Sequence, residues 1–161
     1  MNTVIKSLND SHSREIIDLI LPIQQLEFGV AISLKDQPDL LDIENTYTAK
    51  GGNFWGACSA NTLCGTIALL RFSEKSAAIR KMFVKKEFRG REYGIASTLL
   101  AELISYAKAN GIEHLYLGTV DILQAAIRFY EKNGFAKLDK KELPLTFPLM
   151  AADNVFYHLA L

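Results

Sequence analysis

Three apolar runs, FWGACSA from Phe54, LCGTIALLRF from Leu63 and AAIRKMFV from Ala77, follow one another with only a few polar residues between them. Each has the length and composition of a strand, and connections this short leave no room for a crossover helix. The three runs must therefore form an antiparallel meander. Gly51, Gly52 and Asn53 punctuate the chain before it, Asn61 and Thr62 mark its first turn, and Ser73 to Ser76 mark its second.

The flanking segments alternate between the two periodicities. Thr3 to Leu8 reads as a short first strand, followed by a helix that carries Ile16, Ile17, Leu19 and Ile20, with Ser11 or Ser13 as its cap and Pro22 ending or bending it. Ile23 to Ser33 allows a second helical segment around Gly29, and KDQPDLLDIENTY a third, with Pro38 near its first turn. After Val84, the spacing of Ile95, Leu99, Leu100, Leu103, Ile104 and Ala107 predicts a helix that stops at Gly111. IEHLYLGTV then reads as a buried strand, LQAAIRFYEKNG as a helix ended by Gly134, and FAKLDKKEL and NVFYHLAL as strands. The order predicts an α/β (α+β) fold, a mixed sheet with helices on its faces.

A chain of 161 residues with 49% hydrophobic content is expected to form one domain over residues 1–161. Lys and Arg together number 18, as do Asp and Glu, so no overall field draws the chain to nucleic acid or an anionic membrane. The polar N-terminus and the short run cut by Pro22 differ from a signal peptide or a spanning helix, and the expected location is the cytoplasm. Cys58 and Cys64 form neither a disulfide framework nor a zinc motif and read as buried thiols on neighbouring strands. His12, His114 and His158 are scattered, and no metal site is expected.

The segment EFRGREYGIA, directly before the best-patterned helix, is the strongest functional signal. A helix start offers unpaired backbone N–H groups and the positive end of a dipole, and a glycine there lets a pyrophosphate approach the main chain. Arg91, Gly94 and Ala96 supply an RxxGxA pattern of that kind. The GxGxxG and distant acid of a dinucleotide fold are absent from this segment, which disfavours dinucleotide binding.

With the strand IRKMFV before it and the helix after it, this segment resembles motif A of the GNAT superfamily of N-acetyltransferases. AAIRFYEKNGF, from Ala125 to Phe135, is similar to that family's motif B. The resemblance implies a mostly antiparallel central sheet of about six or seven strands with about four or five flanking helices. It also implies an acetyl-coenzyme A site where two parallel strands, Ala78 to Val84 and Glu113 to Thr119, splay apart. Main-chain groups of Met82, Phe83 and Val84 would pair with the pantetheine arm, and Arg89, Gly90, Arg91, Glu92, Tyr93, Gly94, Ile95 and Ala96 would hold the pyrophosphate.

By the same resemblance, Tyr130 protonates or hydrogen-bonds the departing coenzyme A sulfur, and a backbone N–H near Phe83 polarises the thioester carbonyl. The implied reaction is direct acetyl transfer to a primary amine, without metal, and a small-molecule acceptor is expected. An alkyl ammonium with a pKa near 10 needs a proton acceptor, for which Glu27 and Asp121 are the candidates. The acceptor side would be lined by Gln24 to Tyr47 and by LPLTFPLM, and Glu27, Asp36, Asp39, Asp42 and Glu44 would attract a cation or form a solvated face. The rival readings are an acyl-coenzyme A-binding regulatory module and a protein or peptide N-acetyltransferase. The family's tendency to homodimerise directs attention to the edge of NVFYHLAL.

Overall fold

The computed structural model describes residues 2–161. Its strands are β1 (Thr3–Ser7), β2 (Asn53–Ser59), β3 (Thr62–Arg71), β4 (Ser76–Val84), β5 (His114–Thr119), β6 (Ala136–Leu138) and β7 (Val155–Ala160). They form one seven-stranded sheet in the order β1-β2-β3-β4-β5-β7-β6. Every neighbouring pair is antiparallel except β4 and β5, which are joined by a crossover through helix α3 (Ile95–Ala109). The meander expected between Asn53 and Val84 is present, with a tight turn in which Ala60 and Asn61 adopt left-handed backbone angles.

Helices cover both faces of the sheet. On one face, α3 contributes Ile95, Leu99, Leu100, Leu103 and Ala107 to a core with Trp55, Ile67, Leu69, Ile79 and Leu117. Tyr130 of α4 (Gln124–Lys132) belongs to the same cluster. On the other face, Ile16, Leu19 and Ile20 of α1 (Ser13–Pro22) and Ile43 of the one-turn helix α2 (Ile43–Thr46) pack with Leu40, Tyr47, Phe54 and Ala68. This two-sided burial explains why β3 is apolar almost throughout rather than alternating. Cys58 and Cys64 are both free and buried, in the clusters on opposite faces of the sheet.

The region before the meander departs most from the sequence expectation. Asn9, not Ser11 or Ser13, begins the first helical segment, accepting from Ser11 N while its own N–H donates to His12 Nδ1. Pro22 closes α1, and the chain continues into a single π turn, Ile23–Glu27, as expected when a proline removes one donor of the helical ladder. No helix continues to Ser33, because Gly29 turns left-handed at φ 62°. KDQPDLLDIENTY breaks into two 3-10 turns, Leu34–Asp36 and Pro38–Leu41, and the short α2. Acids and Pro38 there favour capping turns over one continuous helix. FAKLDKKEL yields only the three residues of β6 and then a 3-10 turn at Lys140–Glu142.

NVFYHLAL is not an edge strand. β7 lies between β5 and β6, and the sheet edges are β1 and β6. No described helix is long and apolar enough to cross a membrane.

Candidate active site

The sheet opens where β4 and β5 separate. Their parallel register covers only Ser76 with His114, Ala77 with Leu115 and Ala78 with Tyr116. Past Ala78, β4 has no strand partner on its β5 side. The cause lies in a bulge: Thr66 faces Phe83 and Ala68 faces Arg80, so Ile67 of β3 opposes both Lys81 and Met82. Lys81 takes the extra turn at φ 55°, and its carbonyl is held by Thr66 Oγ1 at 2.7 Å. One inserted residue thus bends β4 away from β5 and leaves a wedge between them.

Met82, Phe83 and Tyr130 all line this wedge, together with Ile79, Arg80, Lys81, Gly118, Thr119, Ala126 and Asp153. Segments from either end of the chain roof it: Gln24, Phe28, Val30 and Ile32 on one side, and Phe147, Pro148, Met150 and Ala152 on the other. The expected acceptor-side segments therefore do reach the cleft. Tyr130 packs edge-on against Phe129 and Phe135. Its hydroxyl bonds to no described residue, and burial holds its pKa well above the ordinary tyrosine value, so the phenol keeps its proton at any working pH.

A second hollow adjoins the start of α3. It is lined by Val84, Phe88, Arg89, Gly90, Arg91, Gly94, Ile95, Ala96 and Ser97, with Phe129, Lys132 and Asn133 of the α4 end opposite. Gly94 caps α3 in a left-handed conformation at φ 59° with no side-chain cap bond. The first amides of α3 are thus open to an anion. Two turn bonds, from Tyr93 N and Gly94 N to Gly90 O, fold the three residues between Gly90 and this cap into a turn. Tyr93 packs on Phe88, and Glu92 is exposed, so these two do not line the hollow.

Arg89 is held in place: its Nε donates to Val84 O at 2.8 Å, and its two terminal nitrogens grip Glu27. The five acids expected to attract a cation are similarly occupied. Glu27 binds Arg89, Asp36 accepts from Ser33, Asp42 accepts from Asn45, and Glu44 accepts from Asp10 N. Asp39 is buried, accepting from Tyr47 Oη at 2.6 Å and lying 3.8 Å from Lys81 Nζ. None of the five lines the cleft.

Neither expected proton acceptor is placed for that role. The Arg89 hydrogen bond holds the Glu27 carboxyl below its ordinary pKa. Asp121 is exposed and outside the lining, with its carbonyl taken by the Gln124 side chain. The carboxylate in the cleft is Asp153, whose pKa burial pushes up to about 6 against the opposing pull of Arg80 and Lys81. Lys81 is driven the other way, down to about 8, by burial. Asp153 carries no local motif, and only the return of Leu143 to Asn154 over the sheet brings it there. Lys81 was hidden inside an apolar strand pattern.

A strongly bent parallel pair with an anion-ready helix start beside it is the architecture of an acyl-coenzyme A-type transferase fold. Residues 17–135 match the model of the Acetyltransferase (GNAT) family, and the chain belongs to that family. It is similar over 99% of both chains to the crystal structure of a GNAT-family acetyltransferase from Staphylococcus aureus Mu50, at 39% identity and a TM-score of 0.95. The paiA N-acetyltransferase of Thermoplasma acidophilum, solved in complex with coenzyme A, has the same fold with a TM-score of 0.79, 20% identity and full coverage of both chains. Among curated proteins, N-acetylaspartate synthetase of Danio rerio is 33% identical over 106 residues, 65% of this chain and 37% of that protein. The chain spans only about a third to a half of the length of the first curated relatives it matches.

Proposed function

We propose that this chain transfers an acetyl group from acetyl-coenzyme A to the primary amine of a small molecule by direct attack. The observation that carries the reading is the adjacency of two hollows: Val84 and Phe129 line the one at the start of α3, and their chain neighbours Phe83 and Tyr130 line the β4–β5 wedge. The coenzyme A complex of the Thermoplasma paiA protein supports it, as does the small-molecule product in the name of the Danio relative. Two cores built on the two faces of one sheet support a single catalytic domain.

In this reading, the open amides of Ile95, Ala96 and Ser97 receive the pyrophosphate, with Arg91 and Lys132 adding charge. The unpaired side of β4 at Met82 and Phe83 accepts the pantetheine arm as an added strand. Val84 contributes less to that pairing, because its carbonyl is already bonded to Arg89. The amine lone pair forms the new N–C bond, the C–S bond breaks with its electron pair on sulfur, and Tyr130 supplies the proton to the thiolate. A β4 amide near Phe83 stabilises the charge developing on the carbonyl oxygen.

Calorimetric titration with acetyl-coenzyme A, followed by thiol release with a panel of amines and peptides, tests the reading. Binding plus release driven by a free small amine is the expected result. Release with peptides alone would indicate a protein acetyltransferase, and binding without release from any amine or peptide would indicate a regulatory module. No binding would reject the coenzyme site.

A further inference from the structure

Two opposite charges face the acceptor end of the β4–β5 cleft, and neither is held in a salt bridge among the described residues. Arg80 of β4 lines the cleft half-buried, yet forms no ion pair with any carboxylate of the described residues. The one hydrogen bond its guanidinium makes among the described residues goes to the Met150 sulfur, a weak acceptor. Asp153 enters from the returning C-terminal segment and accepts no hydrogen bond from a described side chain or amide. It lies so close to β5 that a Cβ on Gly118 would stand 2.6 Å from its Oδ2. The third charge, Lys81, is committed beneath them to Gln37 at 2.5 Å and Asp39 at 3.8 Å.

Charges partly drawn out of water without a direct contact partner are unfavourable, and a protein that keeps one of each sign open to a single cleft is complementary to a ligand that carries both. We infer that the acceptor is an amino-acid-like zwitterion whose carboxylate is received by Arg80 and whose ammonium is received by Asp153. The inference rests on the acetyl-transfer reading above and deepens it by naming the acceptor class. A polyamine-type acceptor fits poorly, since it would bring a second cation towards Arg80 and Lys81 with only Asp153 to offset them.

The same geometry supplies the missing proton acceptor. Asp153 takes one proton from the acceptor ammonium, leaving a neutral amine and a carboxylic acid, and the freed lone pair forms the N–C bond. The nitrogen sheds its second proton to water as the thiolate leaves, and the Asp153 proton follows after product release. Arg80 and Lys81 are the charged groups facing Asp153, and they keep a carboxyl in this half-buried position ionised at neutral pH.

The test follows thiol release with the twenty amino acids, each paired with its amide, and with spermidine as a cationic control. The expected result is at least one amino acid whose kcat/KM exceeds that of its amide by about tenfold to a hundredfold, the range for a charge-assisted contact. Arg80→Gln should collapse that ratio through KM, and Asp153→Asn should lower kcat and remove the acidic limb of the pH profile near 6. Acetyl-coenzyme A affinity in each variant checks the fold independently. Amides or spermidine used as well as amino acids, or a ratio unmoved by Arg80→Gln, would overturn the inference. Acetyl-coenzyme A binding with no release from any amino acid would overturn it alone, whereas failure to bind acetyl-coenzyme A would bring down the acetyl-transfer reading beneath it.

Discussion

Arg89 holds Glu27 with both terminal nitrogens, at 2.5 and 2.8 Å, and so ties the loop before α3 to the π turn after α1. The contact joins the hollow at the start of α3 to the segment that roofs the β4–β5 cleft. A bidentate pair that is partly buried on both sides contributes about 1 kcal/mol, more than a flexible surface pair. Glu27→Gln should therefore lower Tm by about 3 °C and leave kcat within about twofold, because Glu27 is a tether and not the base. A depressed carboxyl stabilises the fold above its ordinary value of 4.5 and loses that contribution as pH falls through its lower native pKa. Thermal melts of wild type and variant should accordingly converge below pH 4.5. A loss of turnover of a hundredfold or more in Glu27→Gln would return Glu27 to catalysis.

Tyr130→Phe should reduce kcat by about a hundredfold while changing acetyl-coenzyme A affinity little, as expected for removal of one general acid. The ring is buried against Phe129 and Phe135, so phenylalanine preserves its packing. Because burial raises the hydroxyl pKa well above its ordinary value, no alkaline limb of the wild-type profile below pH 10 should disappear in the variant. Single-turnover kinetics alongside calorimetry would separate these effects. Equal loss of binding and turnover would make Tyr130 a packing residue.

Much of this architecture was readable from periodicity. The meander, the α3 stripe and the Gly111 and Gly134 stops are local signals, and tertiary packing reinforced them. What the sequence concealed depends on non-local relations. The bulge at Lys81 occupies one position in an unbroken apolar strand, and only its pairing with β3 reveals it. β7 looked like an edge because its sequence neighbours say nothing of its insertion between β5 and β6. The acids between Glu27 and Glu44 resembled a charged face, but the chain uses them to cap turns and hold buried groups. Asp153 belongs to no motif, and its proximity to Arg80 arises from β4 and the C-terminal return meeting at the cleft.

Gly94→Glu should weaken acetyl-coenzyme A binding by at least about tenfold, since it places a negative charge at the open amides of α3. A side chain there meets open space, the nearest heavy atom being Arg91 O at 3.9 Å, so the left-handed backbone and the charge are the two sources of harm. Gly94→Asn separates them, because asparagine tolerates φ near 59° and brings no charge. Calorimetry should find Gly94→Asn close to wild type. Unchanged affinity in Gly94→Glu would remove the α3 start from the coenzyme site.

Lys81 links the bulge to stability. Its native pKa of about 8 lies below the ordinary 10.5, so between these values the unfolded chain binds more protons than the folded one. Stability contributed at this site is therefore reduced below pH 8 and recovers as pH rises towards 10.5. Lys81→Met removes the titration but leaves buried Asp39 without its cation, and should be destabilised by about 3 kcal/mol at pH 7. Denaturant melts across pH 7 to 10 should show wild type gaining stability relative to its own value at pH 7, with the variant lacking that component. Parallel profiles would mean that Lys81 keeps an ordinary pKa.

Gly118 gives the Asp153 carboxylate its position. A methyl group at this place in β5 would stand 2.6 Å from Asp153 Oδ2 and 3.0 Å from Phe156 Cε1, so Gly118→Ala must displace the carboxylate or the ring. The Asp153 side chain sits at the end of a loop turn closed by Asp153 N to Met150 O, which yields more easily than a ring packed in the core. Gly118→Ala should consequently lower kcat by about tenfold or more, as a misplaced proton acceptor does, and lower Tm by only a few degrees. The acidic limb of its pH profile should move towards the ordinary carboxylate range, because a displaced Asp153 regains water and loses the burial that raises it to about 6. A profile and kcat identical to wild type would show that the carboxylate position is immaterial to the reaction.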